Sequence, residues 1–187
     1  MNDAAAAQPK RSEMVTIFAW INIALCILGV LAGIALTLLF SVWDPSADML
    51  EFFHRPEVQP AIPGYIEFMV RHLRGLFAVS VILSAVSLVA SYALLKRKNW
   101  ARLYWIGMMA LVVVECLYGM FHQPDMTPLM IQLMGPVPPD VEEGMRQSAA
   151  TGKIYGYVIS LAQAGVFAWG IWYFLTDKIK REFAAEK

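Results

Sequence analysis

The stretch VTIFAWINIALCILGVLAGIALTLLFSV, residues 15–42, holds no Asp, Glu, Lys, Arg or His. A helix on the surface of a water-soluble domain keeps one polar face, and this run has none. It also exceeds the ~20 residues that carry a helix across ~30 Å of hydrocarbon. Three more runs, residues 76–95, 103–121 and 154–175, have the same character, and Glu115 is the one acid inside any of the four. In hydrocarbon the backbone has to satisfy its own hydrogen bonds, which helices do. The expected fold is therefore an all-α integral membrane protein, a four-transmembrane-helix bundle.

Composition agrees. The 187 residues are 58% hydrophobic and 16% charged, with a mean hydropathy of +0.53, where soluble domains carry about 25% charged residues. The first run is too long for the ~7–15-residue apolar core of a cleaved signal peptide and reads as a retained anchor. The chain then divides into a tail (1–14), a first span (15–42), a long connection (43–75), a second span (76–95) and a tight turn (96–102). A third span (103–121), a second long connection (122–153), a fourth span (154–175) and a closing tail (176–187) follow.

Charge is sorted along this plan. Lys10 and Arg11 precede the first span, Lys96, Arg97, Lys98 and Arg102 fill the turn, and Lys178, Lys180, Arg181 and Lys187 follow the last span. The long connections hold the acids Asp44, Asp48, Glu51, Glu57, Glu67, Asp125, Asp140, Glu142 and Glu143. Lys and Arg mark cytoplasmic segments. Both termini and the turn are thus expected in the cytoplasm, both long connections outside, and the chain in a bacterial inner membrane. Trp20, Trp100, Trp105, Trp169 and Trp172 fall near the inner boundary, and Trp43 and Tyr155 near the outer, where amphipathic rings favour headgroup depth.

All ten prolines avoid the spans; Pro9 is in the leading tail and the others are in the long connections. Each connection is expected to hold one short amphipathic helix. In the first, Asp44 caps and Pro45 opens it; in the second, Thr127 caps, Pro128 opens and Gly135 closes it. Asp140, Glu142 and Glu143 read as another helix start, with acids facing the amino-terminal dipole. Both halves follow the order span, capped helix, Pro-rich link, span; this would make them parallel repeats about the membrane normal, but with few identities between them convergent loop design is the favoured reading.

Helices in lipid associate where small residues let backbones approach. Asn22, Cys26, Gly29, Gly33 and Thr37 share one face of the first span. Ser80, Ser84, Ser87 and Ser91 share one face of the second, and Gly156, Ser160 and Ala164 one face of the fourth. These stripes are expected to be packing faces, favoured over a serine-lined pore.

Glu115 lies six residues before Phe121, ~9 Å below the span's end at 1.5 Å per residue. A mid-membrane acid costs ~2.5–3.5 kcal/mol, so it needs a partner or a use. With no cation inside the spans, its carboxyl is expected to hold its proton and to donate a hydrogen bond. Gln163, Ser84 and Asn22 are the other intramembrane polar candidates. His72 and His122 begin the second helix and end the third, so they are expected to be neighbours and are weak candidates for a metal or haem iron. Met126, Met130 and Met134 repeat every four residues and read as an adaptable apolar face. Cys26 and Cys116 form no C-x-x-C pair and lie inside spans, which disfavours disulfide exchange.

No phosphate-binding glycine loop, H-E-x-x-H or nucleophile elbow occurs. No catalytic residue and no cofactor are therefore expected, and the basic residues are explained by topology without nucleic acid. The expected partners are the lipid bilayer, further copies of the chain and other membrane subunits. The first functional expectation is a non-catalytic accessory or assembly subunit. The alternatives are a small homo-oligomeric transporter or channel with Glu115 as its proton or cation site, and an outward-facing metal or haem protein using His72 and His122.

Overall fold

The computed structural model of the chain describes residues 12–43, 45–54, 64–122, 131 and 138–184. The described elements are helices: α1 Glu13–Val42, α2 Pro45–Phe53, α3 Gly64–Arg71, α4 Leu73–Leu95, α5 Asn99–Phe121, α6 Pro139–Leu175 and α7 Asp177–Ala184. Of these, α1, α4, α5 and α6 are long and apolar enough to cross a membrane, the pattern of a multi-pass membrane protein.

Three features go beyond the reading of the sequence. The helix start expected at Asp140 opens at Pro139 and runs without a break into the fourth apolar stretch, so that α6 is one continuous helix of 37 residues. Pro139 takes a first-turn position where no N–H is needed, and Asp140 and Glu142 face the helix dipole. Arg146 then grips Glu142 one turn on, at 2.7 Å. The segment 140–153 is polar but rich in Glu, Met, Arg, Gln and Ala, which propagate helix well. Residues 176–187 are not a plain tail, since α7 folds there. The first long connection carries α3 as well as α2. The helix expected over 127–135 lies outside the described residues, together with Met126, Met130 and Met134.

The break between α4 and α5 is a Schellman turn. The Lys98 N–H donates to the Ala93 carbonyl and the Arg97 N–H to the Leu94 carbonyl, both at 3.0 Å. This geometry needs a left-handed residue just past the helix, usually glycine, and here Arg97 fills it with φ 52°. Extended backbone at Thr176 separates α6 from α7.

Two antiparallel hairpins result, α1 along α4 and α5 along α6. Three levels fix the first: the Phe40 and Phe77 rings stack at 5.3 Å, Gly33 lies against Val81, and Gly29 lies against Ser84. In the second, Gly170 lies against the Met109 sulfur. The hairpins join at the end that carries the 96–98 turn and α7, called here the basic end. Val15, Ala19, Leu94, Ala101, Trp105, Phe174, Ile179 and Phe183 are buried together there. Phe18 meets Trp105 edge-on at 5.2 Å and Phe174 at 5.5 Å. Towards the opposite, loop end, α5 has no buried residue after Met109, and α6 has none before Ala164.

Candidate functional site

Glu115 is exposed on α5 and makes no hydrogen bond or ion pair among the described residues. Its neighbours one turn to either side are Leu111, 63% exposed, and Tyr118, 62% exposed. The Tyr118 ring stacks on His122 at 4.1 Å, and His122 Nδ1 lies 3.2 Å from the Tyr118 carbonyl oxygen. Leu111, Glu115, Tyr118 and His122 thus form one uncovered stripe, spaced by three and four residues on a single face of α5. Gln163 is also exposed and does not meet Glu115. The carboxyl looks out from the chain's side.

The other intramembrane candidates make local contacts. Asn22 Nδ2 donates to the Phe18 carbonyl at 2.8 Å, so its amide is occupied on its own helix. Ser80 Oγ donates to Phe77 O, and Ser91 Oγ to Ser87 O. Ser84 and Ser80 lie opposite Gly29 and Gly33, while Ser87 turns towards α5 and shares a 2.7 Å hydrogen bond with Tyr104 Oη. The serine stripe therefore divides between two neighbours. On α6, Gly156 and Ser160 are half-buried and Ala164 is buried.

His72 and His122 are exposed and engage their own chain neighbours. His72 Nδ1 lies 2.9 Å from Phe68 O, with its ring 4.3 Å from the Phe68 ring. No contact joins the two imidazoles among the described residues, and no group of three His, Cys, Asp or Glu side chains converges there. Cys26 is buried and Cys116 half-buried, both as free thiols.

The densest polar cluster was not anticipated from the sequence. At the basic end Arg97 is 2% exposed and Glu182 5% exposed, and Arg97 Nε lies 2.6 Å from Glu182 Oε1. Arg97 Nη2 donates to the Ser12 carbonyl and to Thr16 Oγ1, both at 3.0 Å. The Ser12 N–H donates to Glu182 Oε1 at 2.9 Å, and Ser12 Oγ shares a 2.7 Å hydrogen bond with Tyr173 Oη. One node thus ties the start of α1, the α4–α5 turn, the end of α6 and α7. The left-handed turn at Arg97 carries its side chain into this node, and the amphipathic α7 supplies Glu182 alongside Ile179 and Phe183. The spacing 179, 182, 183 on one helix face was the sequence signal. It is masked because the tail's cations also serve as topology signals.

Two clefts open among the described residues. One of about 300 Å³ at the loop end is lined by Phe40, Ser46, Arg71, His72 and Arg74. Arg71 there is held by Glu67 at 2.6 Å. The other, about 450 Å³, opens beside the Arg97–Glu182 node and is lined by Lys98, Asn99, Arg102, Lys180 and Phe183. Comparison of the chain with protein-family models, curated proteins and solved structures gives no match in any of the three.

Proposed function

We propose that this protein is a non-catalytic accessory or assembly subunit of a complex in a bacterial inner membrane, its basic end in the cytoplasm. The clustering of Lys and Arg at one end supports the orientation. The observation that carries the role is Glu115: an acid within a helix long and apolar enough to cross a membrane, exposed at the side of the chain, with no partner among the described residues. At ~2.5–3.5 kcal/mol for an acid at mid-membrane, such a position calls for a polar group from outside the chain. The exposed aromatic stripe around it, Tyr118 and His122, suits a protein surface better than acyl chains.

The test is the native mass of the protein extracted in mild detergent from its own host, for the wild type and for Glu115→Ala and Glu115→Gln. The expected result is an unrelated membrane chain at fixed stoichiometry with the wild type, lost in Glu115→Ala. Glu115→Gln, which keeps a hydrogen-bonding group, retains part of the complex. A homo-oligomer alone, whose assembly ignores both substitutions while ion flux in vesicles is abolished by them, overturns the proposal in favour of transport.

A further inference from the structure

We infer that the basic-end cleft is a binding site for a phosphate group at the membrane surface, the kind presented by an anionic lipid headgroup. The cleft holds about 450 Å³ and is lined by Arg97, Lys98, Asn99, Arg102, Lys180 and Phe183. Its charge is not what topology alone provides. Arg97 is neutralised by Glu182, and Lys180 is drawn to Asp177 only loosely, at 3.3 Å and on an exposed surface. That leaves Lys98 and Lys180, both exposed, and Arg102.

Arg102 is the second and independent sign. Its Nε and Nη1 atoms are buried and have no hydrogen-bond partner among the described residues. Its guanidinium carbon sits 5.9 Å from the centroid of the Phe183 ring, and that of Arg97 sits 5.8 Å from the same ring. An aromatic floor holds a guanidinium by cation–π attraction but accepts no hydrogen bond in its plane. Buried donors left unsatisfied cost free energy, and charged ones cost most. A phosphate in the cleft offers the oxygen acceptors this fork lacks once the Arg102 side chain turns outward to it, in a geometry guanidinium matches with paired bonds. The headgroup depth also fits. Trp100 and Leu103 flank the cleft residues on α5 and are 50% and 54% exposed, giving acyl chains an apolar side to lie against. Basic pockets between membrane helices on the cytoplasmic side recognise such headgroups. This inference is independent of Glu115, which lies on the loop half of α5.

The experiment uses the full chain in a neutral detergent, titrated with dioctanoyl phosphatidylglycerol, with dioctanoyl phosphatidylcholine, and with inorganic phosphate. Bound adducts are counted by native mass spectrometry. The variants are Arg102→Gln, the exposed pair Lys98→Gln/Lys180→Gln, and the controls Lys96→Gln and Lys178→Gln, which do not line the cleft. The thermal midpoint of each is recorded to check folding. The expected result is one phosphatidylglycerol per chain and markedly weaker phosphatidylcholine. Each cleft cation removed weakens binding about fivefold, the factor corresponding to ~1 kcal/mol per Lys or Arg, and the controls bind like wild type. Saturable binding of inorganic phosphate that displaces the lipid, with the same variant pattern, keeps the site and assigns it to the free anion. Equal losses in cleft and control variants, or no saturable adduct at all, overturn the inference.

Discussion

Arg97 adopts a left-handed conformation that L residues with a side chain pay roughly 1–2 kcal/mol to hold, and it does so to reach Glu182. Replacing it with glycine removes the strain but strands a buried carboxylate, and breaking a buried pair costs about 3–5 kcal/mol. Arg97→Gly is therefore expected to be less stable by about 2–3 kcal/mol, read as a lower thermal midpoint in detergent. Arg97→Gly/Glu182→Gln is expected to recover much of the loss, because the orphan charge is gone. The two interface glycines of α1 differ in the same quantitative way. A Cβ at Gly33 would lie 2.5 Å from a methyl of Val81, whereas one at Gly29 would lie 2.9 Å from the Ser84 hydroxyl. Valine is stiff at χ1 and serine can rotate away. Gly33→Ala is thus expected to cost about 1–3 kcal/mol by overpacking and to be rescued by Val81→Ala, with Gly29→Ala milder. The same thermal scans check both. At this scale the sequence disclosed Glu115, a lone acid against an apolar background. It did not disclose Arg97, one cation among four in a short turn, because burial is a property of the partner and the partner arrives 85 residues later.

Among the elements, the four long helices were legible because apolar residues come in blocks as long as a membrane is thick. The start of α6 was legible too, from Asp140, Glu142 and Glu143, but its unbroken run into the fourth apolar stretch was not, because hydropathy tracks the solvent around a helix and says little about a polar helix continuing into water. At 1.5 Å per residue the 37 residues of α6 run about 55 Å, against ~30 Å of hydrocarbon. The helix therefore extends well beyond the apolar stretch. Gly144 and Gly152 sit in that extension with open space where a Cβ would go. Each change to alanine is expected to stabilise the helix by about 0.5–1 kcal/mol, visible as slower amide exchange over residues 140–153. An unstructured loop there would gain no such protection. α7 escaped notice for a related reason: its polar residues read as topology signals, while Ile179 and Phe183, buried to 0% and 3% exposure, decide where it docks.

Taken together, the described residues pack firmly at one end and loosely at the other. Trp105, 8% exposed, sits where both hairpins meet, while Leu111, less than two turns along α5, is 63% exposed. Trp105→Ala is expected to lower stability by about 3 kcal/mol or more, and Leu111→Ala by less than about 0.5 kcal/mol, as denaturation in mixed micelles would register. This gradient could not be read from the chain. Every span presents small and large apolar residues on several faces, and which of them meet depends on the tertiary pairing. It also places the unsatisfied chemistry. The packed end holds the Arg97–Glu182 pair in its node with the orphaned Arg102 donors beside the cleft, and the open end leaves Glu115 exposed.

The node at the packed end also has a place in time. Ser12, Thr16 and Arg97 leave the ribosome with the first two spans, whereas Tyr173 and Glu182 follow only with the fourth and the helix after it. Until then the Arg97 guanidinium lacks the Glu182 carboxylate, and water keeps it at the surface. The last helix delivers the carboxylate, and only then does burial of the arginine become favourable. Closure of this end is thereby conditional on insertion of all four spans, and a chain arrested after three would show its unfinished state as an exposed arginine beside uncovered Phe18 and Trp105.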